Sequence, residues 1–149
     1  LNHVKDKPGR KAVIVFSDGA DNRSSMKEDE LLDYARSVEA TVYCVGIRGE
    51  SGLLARSPRG FMRKLAKETG GDFFFPDRVG DLIKVFSGIS DELHNHYLLA
   101  YTPKRPPDSS WRAIEVRLKN RDDEIRVRKG YFAVKRRRPA TPAVPTGGN

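Results

Sequence analysis

The sequence has one cysteine, Cys44, and one tryptophan, Trp111, among its 149 residues. A single cysteine excludes an intramolecular disulfide framework and any cysteine-rich zinc site. No apolar run comes near the 18 or so residues that a membrane-crossing helix requires. There is no P-loop, no Gly-x-Gly-x-x-Gly, no Gly-x-Ser-x-Gly and no Cys-x-x-Cys, so the familiar phosphate-cradling, nucleophile-elbow and redox signatures are all missing. Asp18 and Asp21 stand three apart, whereas haloacid dehalogenase-type phosphotransferases use Asp-x-Asp. The expectation is a non-enzymatic chain with no catalytic residues. Residue 1 is Leu, and no signal peptide follows it, so the expectation is a processed chain or a piece of a longer one.

Apolar residues make up 38% and charged residues 32% of the sequence. This is polar for a globular protein but not low enough for wholesale disorder. The charge is unevenly placed. Residues 1–100 hold 15 basic and 15 acidic residues, while residues 101–149 hold 13 and 5 and therefore carry the entire net charge of +8. Two balances suggest two structural units. Lys135-Arg-Arg-Arg-Pro139 and the Pro- and Gly-rich residues after it lack apolar periodicity and read as a disordered tail over residues 135–149.

Ala12-Val-Ile-Val-Phe16 is a short β-branched run bounded by polar residues, which predicts a strand buried on both faces. Ser25-Met-Lys-Glu28 fits a capping box, and Leu31, Leu32, Ala35 and Val38 behind it recur at helical spacing. Thr41–Ile47 is a second apolar strand. Ser57-Pro58 opens a second helix with the stripe Phe61, Met62, Leu65 and Ala66, ended by Gly70-Gly71. Phe73-Phe-Phe75 is a very short strand. Leu82, Ile83, Phe86, Ile89 and Leu93 mark a third helix, and Tyr97-Leu-Leu-Ala-Tyr101 reads as a third long strand. The alternation of strands and helices predicts a parallel α/β sheet with right-handed crossovers. After Pro103 the period drops to two. Ile114, Val116 and Leu118 alternate with charged residues, as do Ile125 and Val127, with Asn120-Arg-Asp-Asp123 between them. This predicts an antiparallel hairpin that packs its apolar face, with Trp111, Tyr131 and Phe132, on the α/β unit. The organisation expected is an α/β unit over 1–102, a hairpin extension over 103–134 and the tail.

Ser17-Asp18-Gly19-Ala20-Asp21 follows directly on the first strand. Ligands of open parallel sheets bind beyond the carboxyl ends of strands. A carboxylate beside hydroxyls there suits a hard cation such as Mg²⁺. The same residues also suit a plain strand-to-loop turn.

AVIVFSDGAD, Ala12 to Asp21, resembles the fourth-strand segment of von Willebrand factor type A domains, in which a strand ends in a hydroxyl residue followed by Asp-Gly. TVYCVGI, FMRKLAKETGGDFFF, DLIKVFSGISDEL and HYLLAYTP follow in the same order. WRAIEVRLKN and IRVRKGYFAV resemble the hairpin that follows the domain in a bacterial, acidobacterial-type subfamily called von Willebrand factor A-related. The resemblance spans about residues 9–134. It implies a partial Rossmann-like parallel sheet flanked by helices and, in a complete domain, a metal ion-dependent adhesion site binding Mg²⁺ or Mn²⁺. Asp18 matches the family's third-loop aspartate; Ser17 and Asp21 would support it. The Asp-x-Ser-x-Ser loop and the first three strands of the family have no counterpart here, so no cofactor is expected for this chain alone. The resemblance further implies a protein-binding or adhesion role, a protein ligand, location in the cell envelope or outside the cell, and a missing N-terminal half as partner. Without that half, the strand at 12–16 is an open apolar edge, which predicts poor solubility or edge-strand self-association.

A competing reading rests on the basic end. Arg117, Lys119, Arg126, Arg128 and Lys129 share the hairpin's polar side, and Lys135, Arg136, Arg137 and Arg138 follow. Such a face could bind the phosphates of nucleic acid or an anionic surface. The bland equivalent is a solvated face that keeps an edge hairpin from aggregating. His94 and His96 could serve as metal ligands only with further partners. Cys44 reads as an inert core residue, Tyr97 and Tyr101 as packing or interface anchors, and Phe73 to Phe75 as core. Asn22-Arg23-Ser24 matches a glycosylation acceptor, relevant only in a secreting eukaryote.

Overall fold

The computed structural model describes residues 1–5, 7, 9–17, 27–46, 56–119 and 125–134. A one-turn helix, α1 (Asn2–Lys5), precedes the sheet. The alternating region follows as β1 (Lys11–Ser17), α2 (Glu28–Val38), β2 (Ala40–Gly46), α3 (Arg56–Thr69), β3 (Phe73–Phe74) and α4 (Leu82–His94), the last entered through a short 3₁₀ turn at Val79–Asp81. The strands form a parallel sheet in the order β1-β2-β3, with β1 aligned residue for residue on β2 from Lys11–Ala40 to Ser17–Gly46. A separate antiparallel pair joins β4 (Trp111–Ala113) to β5 (Gly130–Phe132). The protein is thus an α/β sheet flanked by helices with a two-stranded antiparallel unit after it.

β2 is central and is buried at every position except Thr41, as its unbroken apolar run requires. Alternation sends Val42 and Cys44 to one face, where they pack with Leu32 and Ala35 of α2 and Met62, Leu65 and Ala66 of α3. Tyr43 and Val45 face the other way. There Glu92 of α4 bonds the Tyr43 side chain, and the Phe86 ring lies 5.6 Å from Phe16 of β1. Two crossover helices on one face and α4 on the other bury β2, whereas no residue of β1, expected to be buried on both faces, is fully buried. Each fully buried Val or Leu contributes about 1.5–3 kcal/mol relative to exposure.

Two glycines set the return from α3 to β3. Gly70 takes φ +84°, the left-handed conformation that ends a helix without a Cβ penalty. At Gly71 a Cβ would stand 2.1 Å from the Val42 carbonyl oxygen, so only glycine allows this approach.

Three local expectations are corrected. The helix after β1 starts at Glu28 with Lys27 as its cap, and no side chain caps it. The Ser25 capping box lies outside the described residues; Glu28, Asp29 and Glu30 in the first turn complement the helix dipole. α3 begins at Arg56, which places Ser57 and Pro58 inside its first turn. Tyr97–Tyr101 is no strand: it pairs with no strand among the described residues, and Tyr97, Leu98 and Leu99 are 92%, 82% and 73% exposed. The hairpin ladder also lies nearer the chain ends than the alternation suggests, at 111–113 and 130–132, with one further bond from Ile114 N–H to the Lys129 carbonyl. Trp111 nevertheless meets the α/β unit as expected, under the Arg36 guanidinium of α2 at 4.9 Å.

Candidate functional site

β1 and β2 end level with each other, Ser17 opposite Gly46, at the rim where the crossover loops leave the sheet. This is the end at which open α/β sheets bind ligands. Ser17 stands at the last position of β1. Asp18 and Asp21 lie outside the described residues, so Ser17 is the member of that constellation with a described position. One hydroxyl does not make an octahedral cation site. Among the described residues no group of three or more His, Cys, Asp or Glu side chains is placed to hold a metal ion. The described residues therefore do not form a complete metal site.

Among the described residues, β1 is the edge strand of the sheet on the side away from β2. Beside it, α4 exposes apolar side chains that a helix covering a complete sheet would bury. Phe16 and Phe86 are each 43% exposed and Ile83 is 73% exposed. Edge strands in natural proteins are usually short, charged or covered. β1 is seven residues long and carries Lys11 as its single charge.

The opposite end of the sheet is closed by the hairpin. Arg126 donates to Asp72 Oδ2 at 3.1 Å and to Glu92 Oε2 at 2.8 Å, joining the approach to β3 to α4. Glu92 also engages Tyr43, whose hydroxyl is pushed up to about 12 by burial and by that carboxylate. Arg128 donates to the Arg36 carbonyl at 2.8 Å and to the Gly130 carbonyl at 2.8 Å. Lys129 N–H donates to the Glu68 carbonyl. Arg117 pairs with Glu115 at 2.7 Å in solvent, a contact worth little. Lys119 is exposed. Of the basic hairpin candidates, Arg126 and Arg128 thus dock the hairpin on the helices. Lys135, Arg136, Arg137 and Arg138 lie outside the described residues.

The remaining candidates are accounted for locally. His94 bonds the Ser90 carbonyl through Nδ1 at 2.7 Å, and His96 contacts Arg10 and the Glu92 carbonyl. Cys44 is fully buried, and burial pushes its thiol up to about 12, so no thiolate forms at neutral pH. Tyr101 donates its hydroxyl hydrogen bond to Tyr131 at 2.9 Å, edge to face, which ties the exposed 97–101 segment to β5.

One cluster goes unremarked in the sequence reading. Arg59 of α3 lies over the Phe75 ring at 3.9 Å and Arg63 over the Phe73 ring at 5.6 Å. The two rings are themselves stacked at 6.4 Å. Lys64 and Lys67 are exposed on the same helix. The signal was present in the spacing: Arg59, Arg63 and Lys67 recur every four residues, which places them on one helical face.

No family model matches the chain, and no curated protein matches it. Among solved structures, the chain is similar to part of a crystal structure of an uncharacterized membrane spanning protein from Vibrio fischeri. The match is 26% identical, covers 56% of this chain and 47% of that one, and has a TM-score of 0.48. No helix among the described residues is long and apolar enough to cross a membrane.

Proposed function

We propose that this chain acts as the trailing part of a von Willebrand factor A-like domain whose role is non-enzymatic protein binding or adhesion. The observation that carries the reading is the open β1 edge beside exposed Phe16, Phe86 and Ile83. A buried-type strand at an edge, under a helix with uncovered apolar residues, asks for a further strand on that side. The strand that would sit there would bring its own loop next to Ser17 and the residues that follow it. In such a completed rim, Asp18 would contribute a carboxylate to a Mg²⁺ or Mn²⁺ site, with Ser17 and Asp21 in support, and the ion would offer a coordination position to a carboxylate of the protein ligand. The cell envelope or the extracellular space is the location that goes with this reading.

The in-frame coding sequence before the Leu1 codon tests it. Two or three strands and an Asp-x-Ser-x-Ser loop there support the reading, and an immediate stop or unrelated sequence overturns it. In the longer chain, Asp18→Ala should abolish Mg²⁺-dependent ligand binding and leave the melting temperature unchanged. A lowered melting temperature with binding intact would reduce Asp18 to a turn residue.

A further inference from the structure

The basic residues that stand out in the sequence are those of the hairpin, yet its two central arginines are spent on internal contacts. α3 carries a differently built cationic surface. From Arg56 to Lys67 the helix holds five basic residues and no acid; its one carboxylate, Glu68, is turned to Arg36 at 3.0 Å. Arg59, Arg63, Lys64 and Lys67 are all exposed.

Two of these cations are pre-positioned. A guanidinium resting on an aromatic face is held by the ring quadrupole, which removes much of the freedom a long side chain would lose on binding. Arg59 on Phe75 and Arg63 on Phe73 form two such stacks side by side. Their N–H edges remain available for bidentate bonds to phosphate oxygens. Their outer faces present flat cationic planes, on which unpaired bases stack. Arg59, Arg63 and Lys67 advance by about 6 Å per step along the helix axis, close to the separation of successive phosphates in an extended single strand. An acidic peptide would use the charge of this row but not the two flat planes.

We propose that the outer face of α3 binds single-stranded nucleic acid, with Arg59, Arg63 and Lys67 on successive phosphates and Lys64, beside Arg63, as a fourth phosphate contact. This surface stands apart from the β1 edge and does not depend on the adhesion reading. The test is fluorescence anisotropy of a labelled oligodeoxythymidine with the full chain across a salt series. Four phosphate contacts give a slope of log K against log salt of about −3. Arg59→Gln with Arg63→Gln should bring it to about −1.5. Arg59→Lys with Arg63→Lys keeps the charge, so the slope should stay near −3 while binding weakens roughly tenfold through loss of the stacked planes. Neutralising Lys135 to Arg138 together should leave the α3-dependent part of the slope in place. Thermal melts of each variant separate lost binding from lost folding. The proposal is overturned by absence of binding at low salt, by a slope indifferent to Arg59 and Arg63, or by loss of all binding with the tail charges. Equal competition by polyglutamate or by phosphatidylserine vesicles would also overturn it, because the surface would then read charge alone.

Discussion

Thr69→Val replaces one buried hydroxyl with a methyl group of similar size and should cost the protein about 2 kcal/mol. The reason lies in the length of β3. The N–H groups of Val42 and Cys44 point to the same side of β2, away from β1. Cys44 N–H reaches the Asp72 carbonyl at 2.9 Å, at the point where β3 begins. Val42 lies two residues earlier, where no strand remains to accept its N–H. Thr69 Oγ1 takes that place at 3.0 Å, while donating back into the last turn of α3, where the Leu65 and Ala66 carbonyls are each 3.0 Å away. Val42 is 1% exposed, so water does not substitute. Leaving a buried donor unsatisfied costs about 1–3 kcal/mol. For a chain of this size the midpoint of the value corresponds to a melting temperature lowered by about 7 °C. Thr69→Ser keeps the oxygen and loses one methyl, for a cost of about 0.8 kcal/mol. Thermal and urea melts of both variants, with amide exchange at Val42, provide the assay. If Thr69→Val melts with the wild type, or Thr69→Ser falls as far as Thr69→Val, the reasoning about the missing strand position is wrong.

Three further outcomes are expected. Phe16→Asp with Phe86→Asp should shift the full chain toward monomer in sedimentation, because both rings border the open edge of β1; a wild-type chain that is already monomeric at high concentration would contradict this. Cys44 should react with a thiol reagent only at the rate of unfolding, since its buried thiol sits at about 12; rapid labelling of the folded chain would refute that. Asp108 is held down to about 2 by the Ser110 side-chain and backbone hydrogen bonds and by Arg112. A depressed carboxylate stabilises above its ordinary value and loses that contribution as pH falls through the depressed one. Trp111 fluorescence should therefore report loosening of the β4–β5 unit between about pH 4 and 2, and Asp108→Asn should remove that transition.

The α/β core was legible because its signals are local and redundant. Ala12–Phe16 and Thr41–Ile47 are short apolar runs, and the helix stripes repeat at the helical period, so strands and helices fall within a few residues of expectation. Tyr97–Tyr101 misleads for the same reason it persuades. An apolar run signals a segment that would gain from burial, but a strand also needs a neighbour with free backbone groups, and none is found among the described residues. The hairpin alternation failed in position. Period two reports which face a side chain takes, not where two backbones pair, and residues 125–129 turn aside to bond Asp72, Glu92 and Arg36 before the ladder begins. On the rim, Ser17 closes β1 itself instead of following it, and Asp18 and Asp21 lie outside the described residues. The Arg–Phe stacks on α3 required two elements to be seen together, the helix and β3 beyond the Gly70–Gly71 turn, and single-element patterns cannot show that.

The bonds that fasten the hairpin have a consequence for the order of assembly. Arg128 and the Arg36 carbonyl are 92 residues apart in sequence, while every strand pair of the parallel sheet closes over far shorter stretches. Loop closure grows costlier with chain length, and contacts of long range form late. On a ribosome, β1 through α3 have emerged well before residue 126 exists to meet Asp72 and Glu92. Newly made chains should therefore hold sheet and helices before the underside, at the carboxyl ends of α2 and α3, is covered. The hairpin then arrives as a latch, and chaperone contact during synthesis should concentrate on that underside and cease once Arg126 and Arg128 are seated.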